Sequence, residues 1–299
     1  MPYTAHPPVP AGSLIHALGP VLQPIPGPLQ PITIGGAVAG WVTQDGRSRL
    51  TRHPGPFQET EAGLCLDPAL ATAAERTAAV AAAFERLAAD GDLPAPRGEA
   101  FPVLPHWGAP ELMRIDRGYL PVLGVMAFGL HVNGYVVGPN GLRMWIATRA
   151  FDRMVEPGKL DNLIGGGQSA GLSLAENLVK EAAEEAGIPR ETAVQARPVG
   201  LISYQWPHSL GVRRDIQFTF DLALDADFMP TNTDGEVAAF RCLPIAAVLD
   251  HLRADPSAFK FNVPPVILDF CLRHGVLHPD TEPEYTALAG ALRTLVDRN

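Results

Sequence analysis

Residues 164–188 read IGGGQSAGLSLAENLVKEAAEEAGI, a glycine run followed by a strongly helical segment that ends in glycine. Ser173 and Glu176 form the S-x-x-E pattern of a capping box, in which each side chain accepts a hydrogen bond from the other residue's backbone N–H. Gly187 is placed to end the helix in a left-handed conformation. The pattern therefore predicts a helix over residues 174–186.

The predicted helix carries Glu181, Glu184 and Glu185 on one face, because i+3 and i+4 spacing brings side chains together. Like charges within one turn repel one another, and a divalent cation with oxygen ligands removes that penalty. A solvated acidic face is the alternative meaning of such a short motif. The preceding glycines, 165–167, favour a ligand or metal site because backbone without a Cβ can pass close to it.

The rest of the second half predicts a mixed sheet around this helix. Apolar runs bounded by turn residues indicate strands at 123–132, 134–137, 142–148, 198–205 and 216–224, with a tight turn at 139–141. Helical patterns follow at 244–253, 263–274 and 284–297.

The first half of the chain has a different composition and residue pattern. Prolines through the first 30 residues favour extended or loop structure. Alternation predicts a strand at 32–42, and Asp67-Pro68 open a helical pattern that Gly91 ends, with Val80, Phe84 and Leu87 as its buried stripe. A loop rich in proline and glycine at 93–110 indicates a domain boundary. We therefore expect a front domain at 1–117, of α+β type, and a second domain at 118–299.

Composition limits the function classes. The net charge of −9 argues against a nucleic-acid backbone as the main partner, since a phosphate track favours a basic face. No stretch approaches the roughly 20 apolar residues of a membrane span, and the N-terminus lacks the pattern of a secretory signal. Three widely separated cysteines fit a reducing cytoplasm.

The glycine run and acidic helix together resemble the Nudix box. In that register Gly166 is followed by Leu172, Lys180-Glu181, Glu184-Glu185, Gly187 and Ile188. The chain departs from the box at Leu172, where the family has glutamate, and at Lys180, where it has arginine. That family pair is mainly structural, and an ion pair between Glu176 and Lys180 is expected to replace it in part.

The wider chain resembles one branch of the Nudix superfamily, related to the N-terminal region of fungal thiamine pyrophosphokinases. The matching phrases include VAGW at 38–41, FGLHVNGY at 128–135, PGKLDN at 157–162 and DGEV at 234–237. The resemblance implies an α/β/α sandwich with a mixed sheet behind an extra α+β domain. It also implies Mg²⁺- or Mn²⁺-dependent hydrolysis of a diphosphate linkage, with thiamine diphosphate or its damaged analogues as the branch's substrates.

The resemblance assigns roles to individual residues. Glu181, Glu184 and Glu185 would hold the metal, with the carbonyl of Gly166 as a further ligand. Glu181 and Glu236 are both candidates for the base that takes a proton from water, with Glu185 also catalytic. Some side chains could contact the substrate through charge, hydrogen bonding or stacking, and these candidates are Arg149, Lys159, Asn162, Tyr204 and Arg213.

Two alternatives keep the fold and change the function. A Nudix-like module that only binds or senses a nucleotide-like ligand would be expected to lose a metal glutamate, and all are present. Isomerase chemistry would call for a cysteine and a glutamate facing the site. The front domain is expected to shape the pocket, to mediate a homodimer or to cover the sheet, and the sequence leaves these open.

Overall fold

The structure is a computed structural model that describes residues 12–25 and 27–296. Residues 1–11 and residue 26 of the proline-rich start, which the sequence predicts to be loop, lie outside the described residues. Within them the prediction is wrong at Leu14–Leu22, which forms a 3₁₀-helix. Leu14, Leu18 and Val21 are fully buried in one core with the C-terminal helices. Apolar burial thus overrides the local preference of the prolines for extended chain.

The front domain is built on a four-stranded sheet with the strand order β2-β1-β4-β3. Its strands are β1 Gln30–Ile34, β2 Ala37–Val42, β3 Phe57–Thr60 and β4 Gly63–Leu66, and its helices are α1 Gln44–Leu50 and α2 Ala73–Ala89. The single strand predicted at 32–42 is instead a hairpin. Gly35 and Gly36 turn the chain with φ of 56° and 82°, values that favour glycine.

Helix α2 begins six residues later than Asp67, the predicted cap. Thr72 and Glu75 form a capping box there, whereas Asp67 only accepts from Ala69 N at 3.0 Å in a local turn. The stripe of Val80, Phe84 and Leu87 is buried as predicted. The stronger cap, with two backbone N–H groups satisfied, therefore sets the start of the helix.

The predicted linker at 93–110 contains a strand. Strand β5 Ala100–Val103 pairs antiparallel with β6 Met113–Asp116, and Phe101 and Val103 are buried. A 3₁₀ turn Arg117–Tyr119 and a short helix α3 Leu120–Leu123 lead into the second half. The loop prediction was wrong here because only two alternate residues of a short strand carry its apolar signal.

The second half holds a seven-stranded mixed sheet with the central order β11-β12-β7-β8-β13. The strands are β7 Met126–Gly138, β8 Gly141–Arg149, β9 Leu160–Asp161, β10 Ile164–Gly167, β11 Arg197–His208, β12 Gly211–Ala223 and β13 Val237–Pro244. Strands β7 and β12 are parallel, and the other pairs are antiparallel. The two strands predicted at 123–137 are one, since Gly134 stays in the ladder with Leu163 packed against its Cα.

Helices cover both faces of this sheet. They are α4 Leu174–Ala186, α5 Arg190–Ala193, α6 Ile245–Ala254, α7 Val263–Arg273 and α8 Tyr285–Val296, and Asp297 of the last prediction lies outside the described residues. In β8, Met144 and Ile146 face the core of α6, α7 and α8, whereas Trp145 faces the core of α4. The mixed sheet between two helical layers confirms the predicted sandwich and its separate α+β front domain.

Helix α4 matches its prediction at both ends. Ser173 and Glu176 form the capping box, and Gly187 ends the helix with φ of 62°. Leu178, Ala182 and Ala186 are buried against the sheet, and Glu185 is buried on the same side of α4 as Leu178. No helix among residues 12–25 and 27–296 is long and apolar enough to cross a membrane.

Candidate active site

A cavity of about 770 Å³ lies where the two domains meet. Its walls come from α4, the glycine strand β10, strand β12 and the front-domain segment around β5. Trp107 of the front domain packs against Phe128 and Phe218 of the sheet, with ring centroids 5.0 and 4.7 Å apart. The front domain therefore shapes the cavity, which is one of the roles that the sequence left open.

Glu185 is the most enclosed carboxylate of the helix. Its side chain is buried, and Oε2 accepts a hydrogen bond of 2.7 Å from Gly165 N. Burial raises the pKa of Glu185 well above its usual range, and repulsion from Asp161 and Glu181 adds to the rise, while the bond from Gly165 opposes it. A buried carboxylate of this kind gains free energy from any added positive charge.

Glu181 lies directly against the glycine strand. A Cβ at Gly166 would be 2.4 Å from the carboxyl carbon of Glu181, so only glycine lets the two meet. The side chain is 13% exposed, and burial raises the pKa of Glu181 despite the opposing charge of Lys180. The predicted closeness of the glycine loop and the acidic helix is present, with Gly166 and Glu181 in contact.

Lys180 does not pair with Glu176 as the sequence predicted. The carboxylate of Glu176 accepts from Ser173 N and Oγ at 2.8 and 2.6 Å in the capping box, which fixes it at the start of the helix. Lys180 Nζ instead contacts Glu184 at 2.6 Å and Glu181 at 3.3 Å. Its ammonium group therefore lies between two of the predicted metal ligands.

Glu236 reaches the same cavity from the loop before β13. Its carboxylate forms an ion pair with Arg153, and its backbone N–H donates to Asp234 Oδ1 at 2.8 Å. The side chain is 36% exposed, and its negative charge raises the pKa of Glu181. The loop thus brings a fourth glutamate near the helix.

The donor chemistry of this wall fits a hard divalent cation, although its present geometry does not close around one. Within the part of the chain that the structure describes, no three His, Cys, Asp or Glu side chains converge as a ready ligand set. Glu181, Glu184 and Glu185 still supply oxygen donors on one cavity wall, and the ammonium of Lys180 already neutralises two of them. Moving Lys180 Nζ aside would leave these oxygens for a cation.

A buried ion cluster supports this wall from beneath. Asp161 Oδ2 contacts Arg149 Nη1 at 2.8 Å and Lys260 Nζ at 3.1 Å, and Asp161 is buried. The charge of Lys260 lowers the pKa of Asp161 and also opposes the raised pKa of Glu185. Asp161 and Lys260 lie 99 residues apart in the chain, so no local spacing marks them as partners. The PGKLDN phrase was the signal for Asp161.

The predicted substrate contacts fall into two groups. Arg149 and Arg213 line the cavity, where Arg213 is held by Asp215 through bonds of 2.8 and 3.0 Å. The cavity lining does not include Lys159, Asn162 or Tyr204.

Lys159, Asn162 and Tyr204 form the second group, and each contacts other side chains of the protein instead. Lys159 pairs with Glu156 at 2.6 Å. Asn162 accepts from His131 Nδ1 at 2.9 Å, and the buried Tyr204 hydroxyl accepts from Asn262 at 3.0 Å. Asn162 thus orders the residues before the glycine strand, and the aromatic ring of Tyr204 is part of the core.

The front domain contributes residues that the sequence analysis did not name as site candidates. Arg97, Glu99, Phe101 and Arg117 line the cavity. Ala170 N donates to Ala100 O at 3.1 Å, which ties β5 to the chain after the glycine strand. The sequence of this segment, RGE at 97–99, carries no spacing that indicates chemistry.

No cysteine appears in the described lining of the cavity. Cys271 is buried, and burial raises its pKa to about 12, which leaves an unreactive thiol. The isomerase alternative therefore lacks the residue that it requires at this site.

Fold and site together define a class of protein. Residues 128–262 match the NUDIX domain, and residues 26–127 match a domain of unknown function, DUF4743. Residues 128–262 are thus similar to a Nudix domain, and the residues before them are similar to a DUF4743 domain. The boundary expected at 117/118 stays a prediction.

Two curated relatives are plant proteins. The chain is 42% identical over 219 residues to Nudix hydrolase 24, chloroplastic, of Arabidopsis thaliana, a match that covers 73% of this chain and 60% of that protein. It is 40% identical over 207 residues to Nudix hydrolase 20, chloroplastic, covering 69% of this chain and 55% of that one. The chain thus spans little more than half the length of these relatives.

Among solved structures, the E. coli dihydroneopterin triphosphate pyrophosphohydrolase is 18% identical with a TM-score of 0.37. That match covers 49% of this chain and 95% of the other. At this identity the likeness says nothing about the substrate of this chain.

Proposed function

We propose that this protein hydrolyses a diphosphate linkage in a small organic phosphate with the help of Mg²⁺ or Mn²⁺. The observation that carries the proposal is the pair Glu181 and Glu185, buried on one wall of a 770 Å³ cavity with pKa values raised by burial. Carboxylates kept in such a place without a function would only destabilise the fold. The named Nudix hydrolases among the relatives support the same reaction class.

Glu181, Glu184 and Glu185 would hold the cation, with the Gly166 carbonyl as a further ligand. A divalent cation supplies charge neutralisation on the phosphate oxygens and acidification of the attacking water. Gly165 N holds Glu185 in place, so this carboxylate is oriented before any ligand arrives. Lys180 would release Glu181 and Glu184 and remain beside them as a cation for the substrate.

The proton of the attacking water would go to Glu181 or to Glu236. Burial raises the pKa of Glu181, which makes it a stronger base than an ordinary carboxylate. Glu236 is held by Arg153 and would need to leave that ion pair first. Glu236→Gln distinguishes them: it should lower kcat without weakening cation binding if Glu236 is the base, and it should leave kcat unchanged if Glu181 is the base. Glu181→Gln should weaken cation binding in either case, because Glu181 is also a ligand.

For the substrate, we propose thiamine diphosphate or its oxidised analogues as the first compounds to test. This choice rests on the sequence resemblance. Phe101, Phe128 and Phe261 on the cavity wall offer a surface for a heterocycle, and Arg149 and Arg153 offer positive charge. A cytoplasmic location, in line with three free cysteines, and a homodimer are further proposals.

A second candidate is a Nudix-fold module that binds its ligand without hydrolysis. It is favoured by Lys180, which neutralises Glu181 and Glu184 in the present conformation. In that case the protein would bind a diphosphate compound with equal affinity in the presence of Mg²⁺ or of a chelator, and it would release no product.

The test is a metal-supplemented screen of the full chain, with thiamine diphosphate and its oxidised forms, nucleoside diphosphate sugars, ADP-ribose, dinucleoside polyphosphates and NADH. We expect Mg²⁺-dependent release of a monophosphate from at least one compound. Glu185→Gln should lower that rate by about a hundredfold or more, the scale of losing a preorganised charge clamp.

The matched control is Glu191→Gln, at an exposed glutamate of α5. It should leave the rate unchanged. Full activity of Glu185→Gln, or equal losses in both variants, would contradict the proposal. Glutamine keeps an oxygen that can accept from Gly165 N, so the variant should stay folded.

A further inference from the structure

The front domain places arginines in the cavity across from the acidic helix. We infer that Arg97 and Arg117, together with Arg213 of β12, form a subsite that binds a phosphate group of the substrate, and that the DUF4743 domain is therefore part of the substrate-binding machinery. This inference rests on the proposed function for the identity of the ligand. All three residues line the same cavity although they come from three separate segments of the chain.

The carboxylate of Asp116 fixes the backbone around Arg97. Asp116 accepts from Arg97 N at 3.0 Å, from Gly98 N at 2.7 Å and from Gly118 N at 2.8 Å. The Arg97 stem packs over Gly118, where an added Cβ would lie 3.4 Å from Cγ. Asp116 is thus committed to backbone N–H groups, and the loop holds Arg97 at the cavity wall.

The Arg97 guanidinium has no carboxylate within ion-pair distance among residues 12–25 and 27–296. Burial lowers the pKa of Arg97, the charges of Arg117 and Arg213 lower it further, and the charges of Glu99 and Asp116 oppose this shift. Arg97 and Arg213 also lower the pKa of the nearby, half-buried His208. Arg117 pairs with Glu99 and Arg213 pairs with Asp215, whereas Arg97 has no carboxylate partner among the described residues. A phosphate bound beside Arg97 would remove the repulsion between the three cations.

Arg117 places the subsite next to the glycine strand β10. Its guanidinium lies 5.4 Å from the ring centroid of Phe101, and Nη1 contacts the half-exposed Glu99 at 2.9 Å. A Cβ at Gly167 would be 2.5 Å from Phe101 and 3.7 Å from the guanidinium carbon of Arg117. Glu181 lies against the neighbouring Gly166, and Glu181 and Arg117 both line the same cavity, so one ligand can reach both places.

The chemistry selects a phosphate group. Arginine presents a planar set of N–H donors that matches phosphate oxygens in pairs, and it keeps its charge at any physiological pH. Because α4 on the other side of the cavity is acidic, a ligand with one end on a cation and another on these arginines must carry at least two anionic groups. A diphosphate compound meets that requirement, whereas a neutral heterocycle does not.

The direct test is binding of inorganic pyrophosphate to the full chain by titration calorimetry, with a chelator present so that no cation contributes. Wild type should bind. Arg97→Gln should weaken binding by about tenfold, as expected when one charge-assisted hydrogen bond is lost, and Arg97→Lys should restore part of it.

The matched control is Arg86→Gln, at an exposed arginine of α2 in the same domain, outside the cavity lining. It should bind as wild type does. The inference is overturned if Arg97→Gln binds pyrophosphate as tightly as wild type or if Arg86→Gln weakens binding equally.

Kinetics separate this inference from the proposed function. With an active substrate, Arg97→Gln should raise KM by about tenfold and leave kcat nearly unchanged, because a distal contact binds ground state and transition state alike. A loss in kcat alone would overturn the subsite. If no compound is hydrolysed while pyrophosphate binding still depends on Arg97, the subsite stands and the hydrolase proposal fails.

Discussion

The two sides of the cavity differ in how the chain builds them. The acidic wall, Glu181, Glu184 and Glu185, lies within one turn of α4, whereas the cationic wall, Arg97, Arg117 and Arg213, comes from two domains. The acidic wall is stabilised by local partners, namely Gly165 N and Lys180. The cationic wall depends on the docking of the front domain. Periodicity in the sequence therefore reveals the first wall, and only tertiary structure reveals the second.

The largest stability effect is expected beneath the acidic wall, at Lys260. Lys260→Met leaves the buried Asp161 with Arg149 as its remaining close cation. Removing one partner of a buried ion pair typically costs about 3–5 kcal/mol, and we expect about 3 kcal/mol because Arg149 remains. Urea denaturation of the full chain measures this loss.

Two variants control for that prediction. Lys159→Met removes a partly exposed ion pair with Glu156 and should cost less than about 1 kcal/mol. Adding Asp161→Asn to Lys260→Met should deepen the loss, since the mostly buried Arg149 then loses its carboxylate partner. Equal, small effects of both lysine variants would show that the cluster does not support the wall.

His131 provides the next largest effect, through pH. Its Nδ1 hydrogen-bonds Asn162 at 2.9 Å and its Nε2 accepts from Asn262 at 3.2 Å, which satisfies a neutral ring. Burial, aided by the charge of Lys260, lowers the pKa of His131 to about 4. The unfolded chain, with an ordinary histidine pKa near 6.5, takes up the proton first as pH falls.

The stability that neutral His131 provides is therefore present above pH 6.5 and is lost as pH falls from about 6.5 to about 4. The loss should reach about 3 kcal/mol, from 1.36 kcal/mol for each pKa unit. Chemical denaturation across this range should give a flatter profile for His131→Gln than for wild type. Parallel profiles would show that His131 is not held neutral.

The smallest effects compare the two domains through their helix caps. Ser173 caps α4 and Thr72 caps α2, each in a capping box. Alanine at either position should lower the free energy of unfolding by about 1 kcal/mol. Only Ser173→Ala should also reduce hydrolysis, because Asn177 in the next turn donates to Gly167 O at 3.0 Å. Equal activity of the two variants would separate the start of α4 from the site.

The sequence predicts those parts of the fold whose signals are local. Helix α4, its caps and the three C-terminal helices follow from periodicity and capping residues. The 3₁₀-helix Leu14–Leu22 was not predicted because the prolines of this region favour loop. Its apolar residues pack against the C-terminal helices, which are distant in the sequence. Strand β13 was not predicted because its burial does not alternate.

The site residues also differ in whether the sequence reveals them. Glu181, Glu185 and Glu236 reach one cavity, as the resemblance implied, and Gly166 touches Glu181. Lys159 and Tyr204 were predicted as substrate contacts from their residue types alone. In the structure Lys159 pairs with Glu156 and Tyr204 is buried in the core, and residue type reveals neither contact. Lys260 carries no motif, so no sequence pattern marks it.

The account depends most on the claim that the acidic wall holds a divalent cation while the cationic wall binds phosphate. Titration of the full chain with Mn²⁺, followed by electron paramagnetic resonance, tests it in wild type, Glu185→Gln and Arg97→Gln. We predict that Glu185→Gln weakens Mn²⁺ binding by at least about tenfold and that Arg97→Gln leaves it unchanged. Mn²⁺ binding that is unaffected by Glu185→Gln would contradict the account.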